Sequence, residues 1–162
     1  MDIFAFAMQF EKNGEVFYRD LAAKTDQEGL TTIFTMLANA EVKHYNIVRQ
    51  MQKDASNIRL EDDRLFDNVK NVFAGMRDEK PVFDTTSAQI DLYKKARDIE
   101  VQSRDFYQEK ADKASDNAQK TILLKLAKEE DKHRVLLDNI IELVSRPDTW
   151  LENAEWVHLD EY

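Results

Sequence analysis

Six residues of the kind that bind metals recur in this chain as two matched sets. The first is Glu11, Glu41 and His44; the second is Glu100, Glu130 and His133, and each residue lies 89 positions from its mate. Tyr18 and Tyr107 follow the leading glutamate of each set by seven residues. Glu41 and His44 are three residues apart, as are Glu130 and His133, so on a helix each pair projects from one face. Carboxylates mixed with imidazoles suit iron, manganese or zinc. Buried carboxylates are costly unless neutralised. Two divalent cations balance four of them and leave both imidazoles neutral, as ligation requires. A metal pair bridged by carboxylates keeps open positions for a small oxidant. Seven residues is two helical turns, but helical side chains lean toward the N-terminus. Each tyrosine hydroxyl is therefore expected to reach a metal-binding carboxylate on a neighbouring helix and orient it, not to touch the metal itself.

Positioning these residues requires four helices. Ile3, Ala7, Phe10, Gly14, Phe17 and Leu21 repeat at helical spacing and predict a helix over about residues 3–24. Asp26 is the expected cap of a second helix, which carries Leu30, Phe34, Leu37, Glu41, His44 and Val48 and ends near Asp54. Thr85, Thr86 or Ser87 caps a third, through Ile90, Tyr93, Ala96, Glu100, Tyr107 and Ala111. After a polar break at Ser115–Asp116–Asn117, a fourth runs through Leu126, Glu130, His133, Leu137 and Val144 to the stop at Arg146–Pro147–Asp148. The stripes Leu37–Glu41–His44–Val48 and Leu126–Glu130–His133–Leu137 place the metal-binding types among core residues.

The two helical hairpins align without a gap, with thirteen identities over the 38 positions from 7 to 44. That degree of identity indicates duplication of a two-helix unit. Two such units related by an approximate two-fold make a four-helix bundle, provided the connection returns along its length. The crossover segment at 58–83 is long enough and holds a short amphipathic helix on Leu65, Val69, Val72, Phe73 and Met76, stopped between Gly75 and Pro81. The expected organisation is a bundle over residues 1–145 and a C-terminal tail over 146–162, the tail folding back or making a contact through Trp150, Trp156 and His158.

Composition agrees with an all-α fold. Hydrophobic residues make up 43% of 162, with only three glycines and two prolines. The formal net charge of −9 disfavours nucleic acid and anionic membrane surfaces as partners. The chain has no cysteine, which excludes disulfides and thiolate metal sites and fits a cytoplasmic protein. The apolar N-terminus lacks a basic leader and a cleavage site, so it reads as the start of a helix. No stretch approaches the roughly 20 apolar residues of a membrane span. Glu15 and Glu129 are expected to point away from the site into solvent, with Glu129 competing with Glu130 if the helix register differs by one residue. Tyr45 is expected at an interhelical edge, and His158 on the surface.

The ordered set Glu-x6-Tyr, Glu-x-x-His, Glu-x6-Tyr, Glu-x-x-His resembles the ferritin-like di-iron carboxylate proteins. The surrounding segments, EKNGEVFYRDLA and LAKEEDKH, are most similar to the rubrerythrin group, over roughly residues 3–145. The resemblance implies two iron ions held by Glu11, Glu41, His44, Glu100, Glu130 and His133, with manganese an alternative and zinc a substitute. It implies a non-haem di-iron redox protein that reduces hydrogen peroxide or dioxygen with electrons from a separate donor protein, and a homodimer. Alternatives are ferroxidase or iron handling, dimanganese catalase-like activity, and a non-catalytic metal-binding or sensing bundle. Rubrerythrins usually carry a further glutamate one turn after the third-helix ligand, associated with peroxide chemistry. That place here holds Ser103, whose repeat mate is Gly14. The cysteine-based rubredoxin domain common in the group has no counterpart in this sequence, so the electron donor is expected to be another protein.

Overall fold

The computed structural model describes residues 2–152, and every regular element among them is helical. Trp156 and His158 lie outside the described residues. Helix α1 (Ile3–Lys24) starts where the Asp2 carboxylate accepts the Ala5 N–H at 2.9 Å. Helix α2 (Glu28–Lys53) begins one residue later than Asp26 would have set it. Gln27 occupies the cap position without a side-chain bond, while the Thr25 hydroxyl accepts the Gln27 N–H at 3.1 Å. Together α1 and α2 form one antiparallel hairpin.

The chain then crosses over through a single 3-10 turn, Ala55–Asn57, and helix α3 (Leu65–Glu79). Arg64 (φ 54°) and Lys80 (φ 50°) adopt left-handed conformations at its two ends. Gly75, expected near its stop, lies inside it; the reversal at Lys80 is what ends the helix. Helix α4 (Ser87–Lys113) opens with a capping box in which Thr86 and Gln89 satisfy each other's backbone N–H groups. The Gln89 amide also donates to the Lys24 carbonyl at 2.9 Å, so the end of α1 meets the start of α4 and these two helices run antiparallel. Helix α5 (Asn117–Ser145), capped by Asp116, completes the second hairpin. Pro147 cannot continue it, but suits the first position of the short helix α6 (Pro147–Glu152).

The core consists of two apolar clusters with a polar layer between them. One cluster gathers Leu30, Phe34, Leu37, Tyr93, Ala96, Leu136 and Ile140 beneath α3 and α6. Trp150 of α6 packs edge-on against Phe73 of α3, with ring centroids 4.9 Å apart, so the start of the tail does fold back onto the bundle. The other cluster holds Ala7, Val48, Met51, Tyr107, Ile122 and Leu126. On each long helix the chain passes from one cluster to the other through its glutamate or its Glu-x-x-His pair. Large aliphatic and aromatic side chains thus close that layer above and below.

Candidate metal centre

All six candidate residues face the middle of the bundle, and none is more than 3% exposed. They form two groups whose potential ligand atoms lie within 4.8 Å of one another: Glu11, Glu41, His44 and Glu130, and Glu41, Glu100, Glu130 and His133. Glu41 and Glu130 belong to both groups. Each group therefore has a glutamate and a histidine of its own, and the two shared carboxylates stand between them as bridges would.

The histidines present equivalent atoms inward. His44 Nδ1 lies 2.6 Å from Glu130 Oε1 and 3.7 Å from Glu11 Oε1. His133 Nδ1 lies 3.3 Å from Glu41, 3.4 Å from Glu100 and 3.8 Å from Glu130. The two rings are nearly parallel, inclined by 9°, with centroids 5.5 Å apart.

The tyrosines cross between hairpins. Tyr18 of α1 donates to Glu100 of α4, and Tyr107 of α4 donates to Glu11 of α1 at 2.5 Å. Burial and the facing carboxylate raise both phenols well above their ordinary values, so they are neutral donors. The expectation that each hydroxyl reaches a carboxylate on a neighbouring helix matches this geometry.

Crowding divides the carboxylates into two classes. Burial raises Glu41 and Glu130 well above the usual range, and repulsion from Glu11 and Glu100 adds to it. Burial also pushes up on Glu11, but a bond with Glu41, the nearby His44 charge and the Tyr107 hydroxyl outweigh it and hold that carboxyl low. At Glu100 burial is overcome by His133, Glu130 and Tyr18, and the value falls to about 2. Burial opposes the charge on His44, yet Glu130 and Glu11 raise its value well above normal. The upward shifts of Glu41, Glu130 and His44 favour protons where divalent cations would otherwise supply the positive charge.

The donor set fits two metals on a further ground. Glu11 Oε2, Glu41 Oε1, Glu100 Oε2 and both ring nitrogens of His133 are buried without hydrogen-bond partners. Such atoms are destabilising, by about 1–3 kcal/mol each, unless something binds them. Four carboxylates and two imidazoles aimed at two shared centres are the hard-to-borderline donors that iron, manganese and zinc accept.

Glu129 departs from expectation. It is not solvated but 6% exposed, and its Oε2 lies 2.8 Å from His44 Nε2, on the ring edge opposite the shared carboxylates. Burial raises its value, but the hydrogen bond and charge of His44 bring it below normal. A signal was available: Glu129 and His133 are four apart, hence on one helical face. Glu15 sits at the surface between Lys12 (3.3 Å) and Arg19 (2.8 Å), as a solvated residue would.

Solvent reaches the polar layer through two cavities. One of about 530 Å³ opens between α1 and α2 and is lined by Glu11, Glu15, Glu41, Val42 and Tyr45, which places Tyr45 at an interhelical edge. The other, about 280 Å³, lies between α2 and the 59–63 segment and ends at His44 and Glu129. Gly14 is needed where it stands: a Cβ there would lie 3.0 Å from Glu41 Oε2. Its mate Ser103 is buried beside Glu100 and Glu130 on the facing helix.

No helix of the described residues is long and apolar enough to cross a membrane. Comparison with curated proteins and with solved structures gives no match. The family model described as Rubrerythrin matches residues 2–141, which takes in every helix carrying the six candidate residues. Its domain implies a di-iron site, the same arrangement to which the clustered glutamates and histidines point. The chain belongs to the rubrerythrin family.

Proposed function

We propose that this protein is a non-haem di-iron oxidoreductase that reduces hydrogen peroxide or dioxygen, with electrons supplied by a separate protein. The observation that carries this reading is the sharing of Glu41 and Glu130 between two complete ligand groups. Residues 1–145 form the iron-binding unit in this reading. Glu11 and His44 would hold one iron and Glu100 and His133 the other, with Glu41 and Glu130 available to both. When bound, the iron pair supplies two electrons to the oxidant at its open positions. The protein's part is to hold that pair between two apolar clusters and to steady the charge around it.

Tyr18 and Tyr107 each fix one oxygen of Glu100 and Glu11, which keeps those two carboxylates aimed inward and leaves their other oxygens free for a metal. Cations entering the site would compete with protons for Glu41, Glu130 and His44, whose values are all shifted upward. Manganese fits the same donors, and zinc would fill the site without redox chemistry.

A second reading, oxidation of incoming Fe²⁺ for iron handling, is favoured by one observation. The larger cavity leads from the Lys12–Glu15 ion pair at its mouth to the buried carboxylates Glu11 and Glu41, which suit an incoming cation. Self-association as a homodimer completes the proposal; Ile3 and Phe6 on α1 are 39% and 47% exposed, an apolar surface for a second copy.

Anaerobic purification followed by iron and manganese quantification tests the assignment. The diferrous protein is then mixed separately with peroxide and with dioxygen while its near-ultraviolet absorption is followed. Two irons per chain with much faster oxidation by peroxide supports the peroxidase. Faster reaction with dioxygen, with added Fe²⁺ consumed over many turnovers, establishes the ferroxidase instead. Absence of bound metal overturns both.

A further inference from the structure

The duplication is faithful at the inward-facing atoms and fails just outside them. The residue preceding each shared glutamate is Ala40 in the first repeat and Glu129 in the second. Residue 129 of α5 lies against the histidine of α2, and the approximate two-fold relating the repeats makes residue 40 of α2 its counterpart with respect to the histidine of α5. Glu129 Oε2 accepts from His44 Nε2 at 2.8 Å, and its other oxygen lies 3.8 Å from Lys125 one turn earlier. The methyl group of Ala40 offers nothing to His133, whose Nε2 is fully buried and has no hydrogen-bond partner. Met36 stands where Lys125 would have its mate, so the whole outer arrangement exists on one side only.

A carboxylate that accepts the outer N–H of a metal-bound imidazole fixes the ring's tautomer and orientation and makes the inner nitrogen a better donor. His44 has that support. His133 stacks against His44 and faces the carboxylates with Nδ1, but its outer nitrogen has no such support. Glu129 itself is in neither ligand group, so it acts through His44 and not on a metal.

We propose that Glu129 is a positioning residue that makes the two metal positions unequal, so that the Glu11–His44 position binds the more tightly and fills first. The inference rests on the di-metal reading above. Losing such an outer partner typically weakens metal affinity by roughly 10–100-fold, and that is the difference expected between the two positions.

Cobalt(II) titration of the metal-free protein, followed by its visible absorption, tests this without any turnover. Glu100→Ala leaves the Glu11–His44 position intact, and Glu11→Ala leaves the Glu100–His133 position intact. Glu100→Ala is expected to bind Co²⁺ at least about tenfold more tightly than Glu11→Ala. Adding Glu129→Leu to each, which removes the acceptor without opening a void, is expected to erase the difference by weakening the first alone. Glu129→Gln, whose amide oxygen still accepts from Nε2, is expected to restore most of it. Equal affinities in the two single variants, or a difference that survives Glu129→Leu, overturns the proposal. Failure of the unsubstituted protein to bind Co²⁺ overturns the di-metal reading instead.

Discussion

Tyr107→Phe isolates what one buried hydroxyl does for the metal-free site. The Tyr107 ring is 1% exposed within the apolar cluster around Val48, Ile122 and Leu126, so phenylalanine keeps its packing and removes only the oxygen. That oxygen donates to Glu11 Oε1 at 2.5 Å, and the second oxygen of the same carboxylate already lacks a partner. A hydrogen bond to a charged group contributes about 1.5–3 kcal/mol, so the variant should lose stability of that order. For a domain of this size each kcal/mol shifts Tm by roughly 2–4 °C, which places the expected fall between about 3 and 12 °C. The measurement is a thermal melt of chelator-treated protein at neutral pH, paired with Tyr18→Phe, whose mate bond to Glu100 predicts a fall of similar size. A Tm unchanged or raised in either variant would refute the reasoning, because it would mean that the hydroxyl stabilises no ionised carboxylate there.

Glu41→Ala combined with Glu130→Ala removes both shared carboxylates and is expected to abolish binding of at least one metal, measured as ions per chain after anaerobic loading. Metal-free protein should lose stability as pH rises from about 5 to 8. Glu41, Glu130 and His44 have folded-state values above their unfolded ones, so their contribution is complete below the unfolded values and is lost as pH climbs through the folded ones. Glu11 and Glu100 run the other way, contributing above the ordinary carboxylate value and losing it as pH falls toward about 2. A Tm that climbs steadily between pH 5 and 8 in chelator would contradict this, and saturating metal should flatten the decline by displacing those protons. Gly14→Ala puts a methyl group 3.0 Å from Glu41 Oε2 and should weaken metal binding while leaving helix content unchanged; equal metal affinity by titration would show that Glu41 shifts freely.

Local chemistry explains which features were readable along the chain. The polar breaks beginning at Asp26 and at Ser115 interrupt continuous apolar periodicity, and helices α1 to α5 end or begin within a residue or two of the expected places. Where expectation missed, a local signal was outweighed by geometry. Asp26 is a better capping type than Gln27, yet the hairpin turn starts α2 after Gln27. The stop expected between Gly75 and Pro81 falls at Lys80, which takes the left-handed conformation that glycine usually provides, while Gly75 stays helical. The 3-10 turn at Ala55–Asn57 has no periodicity to announce it, since three residues are too few to show one.

Sequence by itself determined the duplicated unit, the four long helices and the six residues that meet in the polar layer. All of these follow from spacing within single helices, which 3.6 residues per turn converts directly into faces. Only the tertiary structure decided which carboxylates are shared, because sharing depends on the height at which antiparallel helices pass one another. The same holds for the crossed bonds of Tyr18 to Glu100 and Tyr107 to Glu11, which span the two hairpins. It holds most for Glu129. Its place on the edge of the α5 stripe left its direction open, and the rotation of α5 against α2 turned it onto His44, where Ala40 leaves His133 without an equivalent.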